Sequence, residues 1–193
     1  MMTLNELRMD ERFRRYCSLR GDVGRHFADL TTHWKLIGSY AVGGLRSIGF
    51  AEASDRLLVT SSDGRGIFDC LSGEKIARDY DDSVPTYEDE LRLLAPGFGP
   101  LEGQTIHMAG LHGGGLPVLT RDGWSLRLVH LDWSICLLIL DPPTRNFPRL
   151  PNRSEFLVMA TNEDIRTCGF SYTGNSFVIA LGSHTLFIYR HID

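Results

Sequence analysis

Lysine is almost missing from this chain: Lys35 and Lys75 are the only two, and arginine carries the rest of the positive charge. Arginine holds flat bidentate contacts better than lysine does, although genome composition explains such a bias as readily as chemistry. Positive charge is short altogether, with 20 Lys and Arg against 24 Asp and Glu and a formal net charge of −4. No global basic field therefore draws the chain to nucleic acid or to an anionic membrane. Cysteine is sparse as well. Cys17, Cys70, Cys136 and Cys168 stand far apart with no C-x-x-C pair, which argues against a clustered zinc motif and against a small disulfide scaffold. They read as reduced, mostly buried thiols. Long apolar runs are lacking too: the longest, Ile135 to Leu140, is far too short to span a bilayer. The opening MMTLNELRMDERFRR is charged from the start and has no apolar core of a secretory signal. The cytoplasm is the expected compartment.

What is present is an ordinary globular composition. At 193 residues, 42% hydrophobic and 23% charged, the chain suits one domain with a sizeable core. Thr3 with Glu6 fits a helix-opening capping box, and Met9, Phe13, Tyr16 and Cys17 follow at helical spacing. Val23, Phe27, Leu30 and Trp34 make a second stripe at i, i+4, i+7 and i+11. Residues 1–33 are thus expected to form a helical element that docks on the core or on a partner.

From Trp34 the period changes. WKLIGSYAV, LRSIGFA, RLLVTSS, RGIFDC and EKIARD are short segments separated by Gly-Gly, Ser-Asp, Asp-Gly and Ser-Gly, the turn chemistry of antiparallel hairpins. Strands resume with QTIHMAGL, LPVLTRDG, WSLRLVHL and SICLLILD. Between the two groups lies DYDDSVPTYEDE, whose carboxylates are Asp79, Asp81, Asp82, Glu88, Asp89 and Glu90. Such a run with Pro85 inside it is a solvated loop or an acidic lure for a basic partner. A short helix is expected from Tyr87 to Leu94, stopped by Pro96.

The stretch from Arg46 has a fainter copy near the end of the chain. At an offset of 120, Arg46, Gly49 and Phe50 fall on Arg166, Gly169 and Phe170, and Leu57-Leu58-Val59 falls on Phe177-Val178-Ile179. Strand starts near Arg46, Ile106 and Arg166 suggest about three units spaced by about sixty residues, with Asp63-Gly64 and Asp122-Gly123 in similar positions. FSYTGNSFVIALGSHTLFIYR resembles a WD-type β-propeller blade, and IFDCLSGEKIARD and LILDPPTRNFPRLP resemble the outer hairpins of kelch-like blades. The Trp-Asp dipeptide and the Gly-His pair of WD repeats are absent. The resemblance implies a mainly β, antiparallel domain over residues 34–193, built as propeller-like or small β-sheet repeats. It also implies that WKLIGSY supplies an outer strand to the last unit, that an open edge leads to homo-oligomers, or that the units form a smaller twisted sheet or sandwich with the helices covering one face.

Chemistry-bearing strings are few. His112-Gly113-Gly114-Gly115 matches the HGGG string of an esterase oxyanion hole, yet no G-x-S-x-G elbow accompanies it, and a flexible hairpin connection is the plainer reading. His130 and Asp132, two apart on a strand, would share a face and could form an acid–base pair. The seven histidines show no metal-ligand spacing and the acidic run lacks the order of a calcium loop, so no metal or cofactor is expected. Arg12, Arg14, Arg15, Arg20 and Arg25 form the one dense basic cluster, diluted by Asp10, Glu11 and Asp22, so no nucleic-acid partner is expected either. Trp124 and Trp133 are read as core residues before an aromatic platform. The expected function is a non-catalytic module of immunity or inhibitor type that binds a protein partner through loops and the acidic segment. The alternatives are a small hydrolase near His112, His130 and Asp132, and a structural subunit of a larger assembly.

Overall fold

The computed structural model describes residues 33–80, 87, 89–132, 135–143, 157–161 and 164–192. Among them the chain is mainly β. The first group of strands is β1 (Trp34–Ala41), β2 (Leu45–Phe50), β3 (Arg56–Ser61), β4 (Gly64–Asp69) and β5 (Lys75–Asp79). A middle group follows: β6 (Leu94–Pro96), β7 (Thr105–His107), β8 (Ala109–Gly110), β9 (Ser125–Asp132) and β10 (Ile135–Asp141). The last group is β11 (Leu157–Thr161), β12 (Ile165–Phe170), β13 (Ser176–Leu181) and β14 (Thr185–His191). They assemble as sheets of order β5-β4-β3-β2-β8, β11-β10-β9 and β1-β14-β13-β12, with β6-β7 as a separate hairpin. Among the described residues no helix is long and apolar enough to cross a membrane.

The internal copy is real at the level of register. In the first unit Phe50 faces Leu57, Gly49 faces Leu58 and Ile48 faces Val59. At the same offset Phe170 faces Phe177, Gly169 faces Val178 and Cys168 faces Ile179. Both ladders slip once at the same point, leaving Arg46 and Arg166 as the extra residues of matching bulges. The third strands match one residue later, because the β13–β14 turn is longer by one and carries His184 at φ 68°. In both units the second strand is buried on both faces, which explains the unbroken apolar runs Leu57-Leu58-Val59 and Phe177-Val178-Ile179.

The outer strands differ in origin. In the first unit β4 ends at Asp69, whose carboxylate accepts the Leu71 and Ser72 amides at 2.9 and 3.1 Å, and β5 returns along it. In the last unit the outer place is taken by β1, paired from Trp34↔His191 to Ala41↔Thr185. WKLIGSY does pair with the last unit. Trp34 therefore opens a strand and does not close a helical stripe; its stripe partners Val23, Phe27 and Leu30, with the rest of the 1–33 element, lie outside the described residues.

The middle of the chain departs from the expected spacing. Ile106 belongs to β7, whose hairpin with β6 packs Ala95, Leu101, Ile106 and Met108 against Leu58 and Ile67 of the first sheet. The middle unit starts some ten residues later than the spacing rule suggests, where the Leu126 amide bonds Val118 O at 2.8 Å and the Thr120 amide bonds Trp124 O at 2.9 Å. Asp122-Gly123 sits in that turn, ahead of β9, and so does not correspond to Asp63-Gly64 between β3 and β4.

Two further clusters bind the sheets. Leu45, Ile48, Leu57, Val59 and Phe68 meet Val178, Leu186 and Ile188 between the two similar units. Trp34, Phe170, Phe177, Ile179 and Tyr189 meet Trp124, Leu126, Leu138 and Leu140 between the last and middle units. Each such side chain contributes about 1.5–3 kcal/mol when fully buried. Close approach explains one glycine: a Cβ at Gly169 would overlap Leu116, against which β12 packs through the 2.7 Å bond from the Phe170 amide to Pro117 O.

Burial also sets a pH limit. Burial pushes the Cys70 thiol well up, helped by Asp55 and Asp69 nearby, and burial alone raises the Tyr189 phenol strongly. Both are held neutral in the fold, whereas in the unfolded chain they ionise near about pH 8.5 and 10. Their contribution is whole below those values and is lost as pH rises through them, by roughly 1.4 kcal/mol per pH unit and group. Urea midpoints should therefore hold to about pH 8 and then fall, and Cys70→Ala should delay the onset towards about pH 10. A midpoint unchanged up to about pH 11 contradicts this.

Candidate functional site

The acidic segment leaves the first sheet at Asp79 and returns to described structure at Tyr87 and Asp89. Asp79, at the end of β5, faces Arg65 of β4 in register, and its Oδ2 lies 2.5 Å from Arg65 Nη2 and 3.2 Å from Nε. The same guanidinium donates to Pro96 O at 3.1 Å and lies 4.8 Å over the Phe98 ring. Arg65 is 8% exposed, so this pair is a lock between β4, β5 and β6. Asp79 belongs to the scaffold before it belongs to any docking surface. Asp81, Asp82 and Glu88 lie outside the described residues.

Tyr87 tethers the far end. It is 8% exposed, and its hydroxyl donates to Ser47 Oγ at 3.2 Å, in a chain completed by the 2.7 Å Ser47–Thr60 hydroxyl bond. In the sequence this tyrosine only opens the expected helix, although an aromatic amid six carboxylates is a usable signal for an anchor.

Asp89 to Leu94 is a tight loop and not the expected helix. The Asp89 amide bonds Leu94 O at 3.2 Å and the Leu94 amide bonds Asp89 O at 3.0 Å, while Asp89 Oδ1 accepts the Arg92 amide at 3.0 Å. Leu93 takes φ 55°, a left-handed turn that a continuing helix does not allow. Pro96 then sits in β6 at the sheet edge, where no amide donor is needed. The loop thrusts Glu90, Leu91 and Arg92 outward, and Leu91 is 99% exposed. At the other end of the segment Tyr80 is 69% exposed and stacks on the Arg78 guanidinium at 4.5 Å. The described ends of the acidic run thus each present an apolar group beside charge.

Of the hydrolase candidates, the structure describes the His112 turn and the backbone at His130 and Asp132. Gly110 to Gly113 form a turn closed from both sides, with the Gly113 amide donating to Gly110 O at 3.0 Å and the Gly110 amide to Gly113 O at 2.8 Å. The Gly113 amide is thereby spent on the turn, where an oxyanion hole needs it free. His112 rides that turn with its ring 5.8 Å from Tyr87. The β9–β10 ladder slips between Asp132↔Ile135 and His130↔Cys136, so a bulge at Leu131 interrupts the alternation on which a shared face was expected. The side chains of His130 and Asp132 lie outside what the structure describes, as do Trp133 and the arginines from Arg12 to Arg25.

Trp124 is 4% exposed and packs edge-on against Trp34 at 5.8 Å, a core residue as expected. Cys70 and Cys168 are free thiols. Among the described residues no three His, Cys, Asp or Glu side chains gather as a metal site. No protein-family model matches the chain, and no curated protein shows significant similarity to it.

Proposed function

We propose that this chain is a non-catalytic protein-binding module whose propeller-like β scaffold offers the acidic segment and its loops to a basic protein partner in the cytoplasm. The carrying observation is Leu91, 99% exposed at the tip of a loop closed by four hydrogen bonds and flanked by Asp89, Glu90 and Arg92. An exposed apolar tip beside carboxylates has the two parts a docking surface uses. The apolar group supplies a contact that resists dissociation, and the carboxylates steer the encounter. An immunity or inhibitor protein that fills a basic cleft works in this way.

The test begins with a partner recovered by affinity capture on the full chain. Replacing Asp81, Asp82, Glu88, Asp89 and Glu90 by Asn or Gln is expected to slow association roughly tenfold at low salt and to flatten its salt dependence. Leu91→Ala is expected to speed dissociation about tenfold with little change in association. Unchanged kinetics in both variants, with the fold intact, dismisses the segment as the docking surface.

A further inference from the structure

β1 reaches its place from the opposite end of the chain from the sheet it completes. Its hold on β14 is a ladder with a single fully buried anchor, Trp34; Leu36, Ile37, Gly38 and Tyr40 are half-buried, and Lys35, Ser39 and Ala41 are exposed. The Tyr40 hydroxyl adds a bond to Gly73 O. What folds β1 back is the short turn Val42-Gly43-Gly44. There the Leu45 amide bonds Val42 O at 3.1 Å, the Ser62 amide bonds Gly44 O at 2.9 Å, and Gly44 stands at φ 62° with Ser62 where a Cβ would lie. Nothing in the β1–β14 ladder requires that both strands belong to one molecule.

We propose that β1 is an exchangeable strand, and that two copies of this chain can complete each other's last sheet in a reciprocal dimer. The contacts are the same in both forms, so the turn at Gly44 decides between them. With the turn intact, the high effective concentration of an attached strand favours the monomer. With the turn blocked, extension into a second copy is the low-cost outcome. The exchange leaves the Asp89–Leu94 loop untouched and is independent of the docking role.

The experiment uses the full chain with Lys35→Cys and Arg190→Cys, which are register partners across the two strands. A chain with Arg190→Cys alone shows what the native cysteines contribute. Under oxidation the pair should link within one chain. Adding Gly44→Val, which puts a β-branched side chain at a left-handed φ and against Ser62, should double the mass seen by light scattering from 21.7 kDa and move the link between chains. A flexible Gly-Ser insertion beside the valine should restore the monomer. As a second arm, two differently tagged wild-type chains, unfolded together and refolded at high concentration, should yield mixed dimers. A Gly44→Val chain that stays monomeric with an intrachain link overturns the proposal. If that variant fails to fold, the absence of mixed wild-type dimers overturns it.

Discussion

Trp34→Ala is expected to lower the free energy of unfolding by about 3–5 kcal/mol, read from urea titration. The indole is 4% exposed and sits at the junction of two sheets. Its ring centroid lies 5.0 Å from that of Phe177, 5.5 Å from Phe170 and 4.8 Å from His191. Alanine removes the packing of both sheets at once and leaves a cavity that flat aromatic neighbours fill poorly. Against a total stability of about 5–15 kcal/mol, such a loss removes a large fraction of what holds the fold. Trp34→Phe keeps an aromatic edge and should cost less, about 1–2 kcal/mol. Equal and small losses in both variants would mean that β1 is a bystander in the core.

The second large effect is expected at Asp55. Its carboxylate is buried with no cationic partner among the described residues, and three hydroxyls of the last unit donate to it: Ser171 at 2.6 Å, Thr173 at 2.8 Å and Ser176 at 2.6 Å. Its carbonyl accepts the Cys70 amide at 2.9 Å. Asp55→Ala strands these hydroxyls and should cost about 3 kcal/mol, whereas Asp55→Asn keeps an accepting oxygen and should cost about 1 kcal/mol. A double-mutant cycle with Ser171→Ala should return a coupling of about 1–2 kcal/mol. Strict additivity would show that the hydroxyls find water instead.

Asp55 also shows what was legible in the sequence and what was not. The turn that holds it, with the Ala51 amide on Arg56 O at 3.0 Å, matches the turn where the Ser171 amide bonds Ser176 O at 2.8 Å. That likeness was readable, because hairpin registers follow from local apolar pattern and turn chemistry. The bond across the two turns was not, because a polar residue in a turn carries no sign of which distant turn it meets. The same division runs through the middle of the chain. The β-strand character of QTIHMAGL was plain, yet its role as a cover over the first sheet depends on Ile106 and Met108 meeting Leu58 and Ile67, far apart in sequence. The helix expected over Tyr87 to Leu94 gave way to the left-handed Leu93 and the Asp89 carboxylate, a local competition that favours turns over helices. Of the acidic segment, the sequence showed the charge. It did not show that Asp79 is held by Arg65 or that Leu91 stands clear of the surface.

The most direct test of the whole account is whether the two ends of the described chain lie side by side. Proton NMR on the full chain should show cross-strand NOEs between the backbones of Trp34 and His191 and between those of Tyr40 and Leu186, the partners of the β1–β14 ladder. Sequential helical NOEs running through Trp34 to Tyr40, with no contact to the last strand, would contradict it.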